Sequence, residues 1–281
     1  MKRIFLTALL ILGAFFWQFT QIVRADTLKK YVSLAPSTTE ILFALKLDAE
    51  IAGVSSYCNY PPEAKQKSKI GDFSRPNIEK ILSLNPDYVF CTGLEQTPVI
   101  NELKKQRIKV YVADPKNIEE LYVSIKEIGE ITGRDKAAQK LISGMREEIA
   151  QIQREVGQIP IVERPRVFVE IWHEPLTTAG KGSFLDEAIT LAGGINIAHN
   201  ARRAFSIFSP EAVIRSNPEC IILAYMDKGE PLKIVGERLG WDNISAVKNN
   251  RVHNDIDPDI LLRPGPRIVQ GIKELNQRLY P

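Results

Sequence analysis

The sequence predicts an α/β protein: two lobes with mainly parallel sheets, joined by one long rigid backbone helix. Three observations predict this. Short apolar runs alternate with helical periods on both sides of the middle of the chain, as a parallel sheet covered on both faces requires. Between them, Gly133 to Gln158 carries Ala137, Leu141, Met145, Ile149, Ile152 and Val156 at steps of three or four, with polar residues on the other faces. That is one amphipathic helix of roughly 39 Å, about the width of a small domain. The plainer reading is a surface helix of a single domain. Third, one pattern occurs twice. Glu79 to Asp87 and Glu211 to Glu219 both fit Glu-x-x-(Leu/Ile)-x-x-Asn-Pro-(Asp/Glu), at an offset of 132 residues.

The elements follow in order. Residues 1–25 form an expected signal peptide. Lys2 and Arg3 precede the apolar run Ile4 to Trp17, and Val23-Arg24-Ala25 is an A-x-A-like cleavage site. The run is short for a membrane span. Residues 26–132 form the first lobe, with strands at Tyr31–Leu34, Ile51–Val54, Tyr88–Cys91 and Lys109–Ala113. Helices are expected at Ser37–Leu45 behind a Ser37-x-x-Glu40 capping box, after the Asn77 cap, at Thr97–Gln106 and at Asn117–Thr132. Residues 133–158 are the linking helix. Residues 159–281 form the second lobe, with strands at Arg166–Trp172, Glu219–Ala224 and Arg251–Asn254. Its helices start at the Ser183 cap behind a loop from His173 to Gly182, at Ser209-Pro210, at Pro231 and, after a loop rich in Asp and Pro, near Pro266. Ligands of such sheets bind outside the carboxyl ends of the strands, here across a cleft between the lobes.

Charge and cysteine content narrow the function. Loss of Lys2, Arg3 and Arg24 with the signal leaves 34 basic and 34 acidic residues, so nucleic acid is not an implied partner. No cysteine lies near the cleavage site for a lipid anchor, and the mature chain is expected in the periplasm, a monomer when free. Cys58, Cys91 and Cys220 are an odd set. Cys58 with Cys91 is the favoured bridge, and burial as small apolar side chains is the equal alternative. With three His and no His-x-x-x-His or Cys-x-x-Cys spacing, no metal site and no cofactor is expected. An exported hydrolase is the different-class alternative, but no Gly-x-Ser-x-Gly elbow is present. Glu79 and Glu211 fall at equivalent places in the two lobes, each in the first turn of a short helix. A carboxylate there adds about 0.3–1 kcal/mol through the helix dipole. A matched pair, one per lobe, would also suit a two-fold partner with basic residues.

At these residues the chain resembles the periplasmic cobalamin (vitamin B12)-binding proteins of ABC importers, in the helical-backbone (class III) substrate-binding family. The likeness rests on Val54-Ser-Ser-Tyr57 with Tyr60-Pro-Pro62, Asn77-Ile-Glu79, Thr178-Ala-Gly-Lys181, Ala192-Gly-Gly194 and Arg263-Pro-Gly-Pro-Arg267. It implies a non-enzymatic protein that binds a corrinoid and delivers it to the dimeric transmembrane permease of an ABC importer, with Glu79 and Glu211 meeting permease arginines. It implies ligand contacts from Tyr57, from Phe73 in place of a tryptophan, and from the run Asp259, Ile260, Leu261, Leu262, Arg263. Trp172 and His173, at the end of a strand facing the expected cleft, are further candidates. A second pocket tryptophan of the family falls near Thr92, and the family's second-lobe disulfide has no counterpart at Ala192. Haem, with Tyr57 or His173 as axial ligand, or a ferric siderophore is the alternative within the class.

Overall fold

The computed structural model describes residues 28–225 and 231–281; the expected signal, residues 1–25, lies outside them. The first lobe runs β1 (Tyr31–Ser33), α1 (Pro36–Ala44), β2 (Ile51–Val54), α2 (Ile78–Ser83), β3 (Tyr88–Cys91), α3 (Thr97–Lys105), β4 (Val110–Val112) and α4 (Ile118–Thr132). All its strand pairings are parallel, in the order β2-β1-β3-β4. Alternate residues feed two cores, because successive side chains of a strand point to opposite faces. Tyr31 and Phe90 enter one; Val32, Val89 and Cys91 enter the other.

Gly133 ends α4 in the left-handed conformation, φ +69°, which glycine adopts without steric cost. The linking helix α5 (Asp135–Val156) follows, 22 residues long, about 33 Å. It buries Ala138, Met145, Ile149, Ile152 and Val156. A Cβ at Gly129 would stand 2.6 Å from that of Ala138, so glycine is what lets α4 and α5 pack this closely.

The second lobe contains β5 (Arg166–Glu170), β6 (Trp172–His173), β7 (Leu176–Ala179), α6 (Phe184–Leu191), β8 (Ile195–Asn196), β9 (Phe205–Ile207), α7 (Pro210–Ser216), β10 (Cys220–Leu223), α8 (Pro231–Gly236), α9 (Ser245–Lys248), β11 (Val252–His253), α10 (Pro258–Leu262) and α11 (Ile268–Leu279). Its parallel sheet has the order β11-β10-β5-β8. Read from the β8 edge and taken by place in the chain, that is second, first, third, fourth, the order of the first lobe. Val167, Val169, Cys220 and Ile222 turn toward the same apolar cluster as Tyr31 and Phe90, with α4, α5 and α11 between. One core therefore runs through both lobes. Polar ties add to it. Glu187 of α6 accepts the Ile118 N–H that opens α4, at 2.8 Å. Burial pushes the Glu187 carboxyl above its ordinary range, that N–H pulls it down, and the carboxylates of Glu119, Asp186 and Glu120 push it further up. On the other side Glu40, 4% exposed, accepts two bonds from Arg267, at 2.9 and 2.7 Å.

Four expectations are corrected. Ser37 does not cap α1: Pro36 occupies the first turn, Ala35 is the cap residue, and Glu40 is drawn away to Arg267. The segment from His173 to Gly182 is not a plain loop, since β6, β7 and β9 form a three-stranded antiparallel sheet. The Asp/Pro-rich stretch before the last helix contains α10, with Asp257 accepting from the Asp259 N–H. Cys58 and Cys91 are not bridged; all three cysteines are free and buried. Burial pushes the Cys91 thiol up to about 12 and that of Cys220 to about 11, so neither forms the reactive thiolate near neutral pH. Titration with a thiol reagent at pH 8 should count no fast thiol in the folded protein and three in denaturant, with dithiothreitol leaving the unfolding midpoint unchanged. Fewer than three in denaturant would reveal a bridge.

Candidate functional site

The repeated pattern has a structural basis at most of its fixed positions. Asn85 and Asn217 both take the left-handed conformation, φ 49° and 45°, which asparagine tolerates better than most residues. Pro86 and Pro218 are buried. The acid that follows does the same work in each lobe. Asp87 accepts the Lys30 N–H at 2.8 Å, and Glu219 accepts the Arg166 N–H at 2.9 Å; each bond ties the strand after the short helix to the start of the lobe's first strand. Glu79 and Glu211 remain. Both are exposed, in the first turns of α2 and α7. Asn77 and Ser209 cap these helices by accepting from Lys80 and Ala212 N–H groups. The Ser209 hydroxyl also donates to Glu211, whose own N–H helps, and holds its carboxyl below the ordinary range.

A cleft of about 530 Å³ opens outside the carboxyl ends of β1, β2 and β3, and residues 262–264 of the second lobe close one side. Its aromatic lining is Tyr57 and Phe73; Tyr57 is 57% exposed. Gln96 holds this wall in place, a residue with no distinguishing sequence signal. It is fully buried and satisfied. Its Nε2 donates to the Leu34 carbonyl at 3.0 Å and the Phe73 carbonyl at 2.9 Å, and its Oε1 accepts from Thr92 N–H at 2.9 Å. The ends of β1 and β3 and the Phe73 loop are thus pinned together.

Arg263 lines the cleft and crosses the lobe boundary. Its guanidinium donates to Asn59 at 2.7 Å, pairs with Asp259 at 2.8 Å and reaches Glu40 at 3.5 Å. Leu262 lines the cleft beside it. The rest of the expected run is corrected: the Ile260 and Leu261 side chains, 1% and 0% exposed, belong to the core. Helical geometry explains the split, because α10 must turn one face inward. Asp259 serves Arg263 and Asn59 rather than the cleft lining.

Trp172 is not among the residues lining this cleft. It stands on the small antiparallel sheet just beyond β5. The register places Trp172, Thr177 and Ile207 in one cross-strand row, with Phe205 two residues from Ile207 on the same face. Trp172, Phe205 and Ile207 are 40%, 58% and 73% exposed, with Thr177 between Trp172 and Ile207 in the row. Phe205 and Ile207 were invisible as site residues because a three-residue strand carries too little periodicity. The His173 ring lies between two others, 5.1 Å from that of Trp172 and 5.8 Å from that of Tyr225. Behind it Glu170, fully buried, takes two bonds of 2.6 Å from Arg238.

Comparison with known proteins places this geometry. A model of the periplasmic binding protein family matches residues 32–257. An uncharacterized ABC transporter substrate-binding lipoprotein of Bacillus subtilis, YvrC, is 36% identical over 258 residues, covering 90% of this chain and 80% of that protein. A vitamin B12-binding protein of Salmonella typhi is 30% identical over 247 residues, with 88% of each covered. A crystal structure from Staphylococcus epidermidis, described as a possible iron-binding (periplasmic solute-binding) protein, superposes with a TM-score of 0.79 at 30% identity, over 90% of this chain and 98% of that one.

Proposed function

Because the chain belongs to the periplasmic binding protein family, we propose that this extracytoplasmic substrate-binding protein of an ABC transporter carries a corrinoid, cobalamin, to its permease. The chemistry of the cleft supports the reading most directly. Tyr57 and Phe73 offer aromatic faces in a roomy, preformed site, suited to a bulky flat macrocycle. The Trp172, Ile207 and Phe205 face would supply the opposing wall. Arg263 and the nearby hydroxyls of Ser37, Ser74 and Thr92 can hydrogen-bond an amide fringe. In this reading Glu79 and Glu211 dock on arginines of the two-fold permease. Of the repeat's shared acidic positions, Asp87 and Glu219 tie strands together, whereas Glu79 and Glu211 do not. The protein is exported to the periplasm with its signal removed near Ala25, and is a monomer when free.

One observation favours a second reading, a ferric complex such as haem or a siderophore. The Tyr57 hydroxyl makes no hydrogen bond among the described residues and could bind iron directly. Calorimetric titration with cyanocobalamin, haemin and a ferric hydroxamate siderophore decides. Saturable one-to-one binding of cyanocobalamin alone is expected, and Tyr57→Ala should weaken it about tenfold, the loss of one aromatic face worth roughly 1.4 kcal/mol. Binding of haemin but not cyanocobalamin would overturn the corrinoid assignment.

A further inference from the structure

We propose that this cleft selects its ligand by charge, and that Asp72 and Glu95 are the residues that reject anionic ligands. Both carboxylates line the cleft, and both are exposed there. Among the described residues that line the cleft, Arg263 is the single cation. Its charge is already spent from behind. Asp259 pairs with it at 2.8 Å, Asn59 accepts from it at 2.7 Å, and buried Glu40 lies 3.5 Å away. Its remaining N–H donors can still meet a ligand group, but the charge behind them is already balanced. The field that reaches into the cleft is therefore that of two negative charges in a concave, partly apolar site, where counter-charge is focused and like charge repelled.

The consequence is a substrate class. Resting on the corrinoid reading, it adds that the accepted molecules are those whose periphery ends in neutral amides. Amide N–H groups donate to Asp72 and Glu95 in charge-assisted bonds. Carboxylates at the same periphery meet them as like charges. Asp72 is oriented for this, since its Oδ1 accepts the Ser74 N–H at 3.0 Å, and the second oxygen is left to a ligand donor.

The test uses two ligand pairs that differ in charge but not in ring: cyanocobalamin with its tricarboxylic derivative, and ferric protoporphyrin IX dimethyl ester with haemin. The wild-type protein is compared with Asp72→Asn/Glu95→Gln, which keeps both side-chain shapes. Wild type should prefer the member of each pair without peripheral carboxylates by at least about tenfold, shrinking as salt is raised. In the double variant the gap should close to within about threefold. A gap that the double variant leaves unchanged, no gap in wild type, or no binding of any of the four would overturn the proposal. If the corrinoid assignment alone is wrong, neither corrinoid binds while the porphyrin pair still shows the gap.

Discussion

Glu40→Ala will cost about 3–5 kcal/mol of folding stability, the usual penalty for removing one partner of a buried ion pair. The carboxylate is 4% exposed and is the common acceptor for Arg267 and Arg263. Its loss strands the Arg267 guanidinium, whose side chain is 14% exposed, while Arg263 loses only a 3.5 Å contact and keeps Asp259 and Asn59. Arg267 retains the Tyr60 ring, 3.9 Å from its Cζ, and a long contact to Asp257 at 3.6 Å; neither replaces two short charge-assisted bonds. Urea unfolding of the two proteins measures the difference. Glu40→Leu combined with Arg267→Met should recover a good part of it, because an apolar pair of similar volume avoids the stranded charge. A loss below about 1 kcal/mol for Glu40→Ala would show that the tie contributes nothing beyond a surface pair.

The second large effect concerns transport. Glu79→Ala with Glu211→Ala should lower association with the permease at least a hundredfold, since truncating one partner of an interfacial charge pair costs about 2–5 kcal/mol. Stability should fall by no more than about 2 kcal/mol, the helix-dipole contribution of two exposed first-turn carboxylates. Ser209 still accepts the Ala212 N–H without Glu211, so the α7 cap survives. Cyanocobalamin affinity should not change, the two residues lying outside the cleft lining. Pull-down with the permease in nanodiscs, beside calorimetry, separates the two properties. Unchanged association of the double variant would remove the docking role.

What was legible in the sequence was local. The caps Asn77, Ser183 and Ser209 all accept the N–H groups their positions predict, because an N-cap is decided within three residues. The apolar strands and the long helix were legible by period, and the repeated pattern by self-similarity. Its Asn-Pro-acid part proved to be shared backbone geometry, which explains why it stood out. The failures are non-local. Glu40 has the spacing of a capping box with Ser37, yet its partners lie 223 and 227 residues away, and nothing near Glu40 announces them. Two- and three-residue strands such as β6, β8 and β9 are fixed by their neighbours in the sheet. In the cleft, Tyr57, Phe73, Leu262 and Arg263 were legible through resemblance, whereas Gln96, Asp72 and Glu95 carry no motif. Ile260 and Leu261 were misplaced because a contiguous run was carried over whole, although a helix must divide its faces.

The helix α5, the core running through both lobes and the ties at Glu40 and Glu187 have a common effect on any partner that touches both lobes. They set the span between Glu79 and Glu211 as a locked caliper sets its jaws. In the docking proposed above, a two-fold permease that gauges this span obtains the same reading from a loaded molecule and an empty one. Empty molecules then compete for the permease on equal terms at those two contacts. Whatever distinguishes cargo from vacancy must be read at the mouth of the cleft, where the ligand's own surface covers Tyr57 and Phe73.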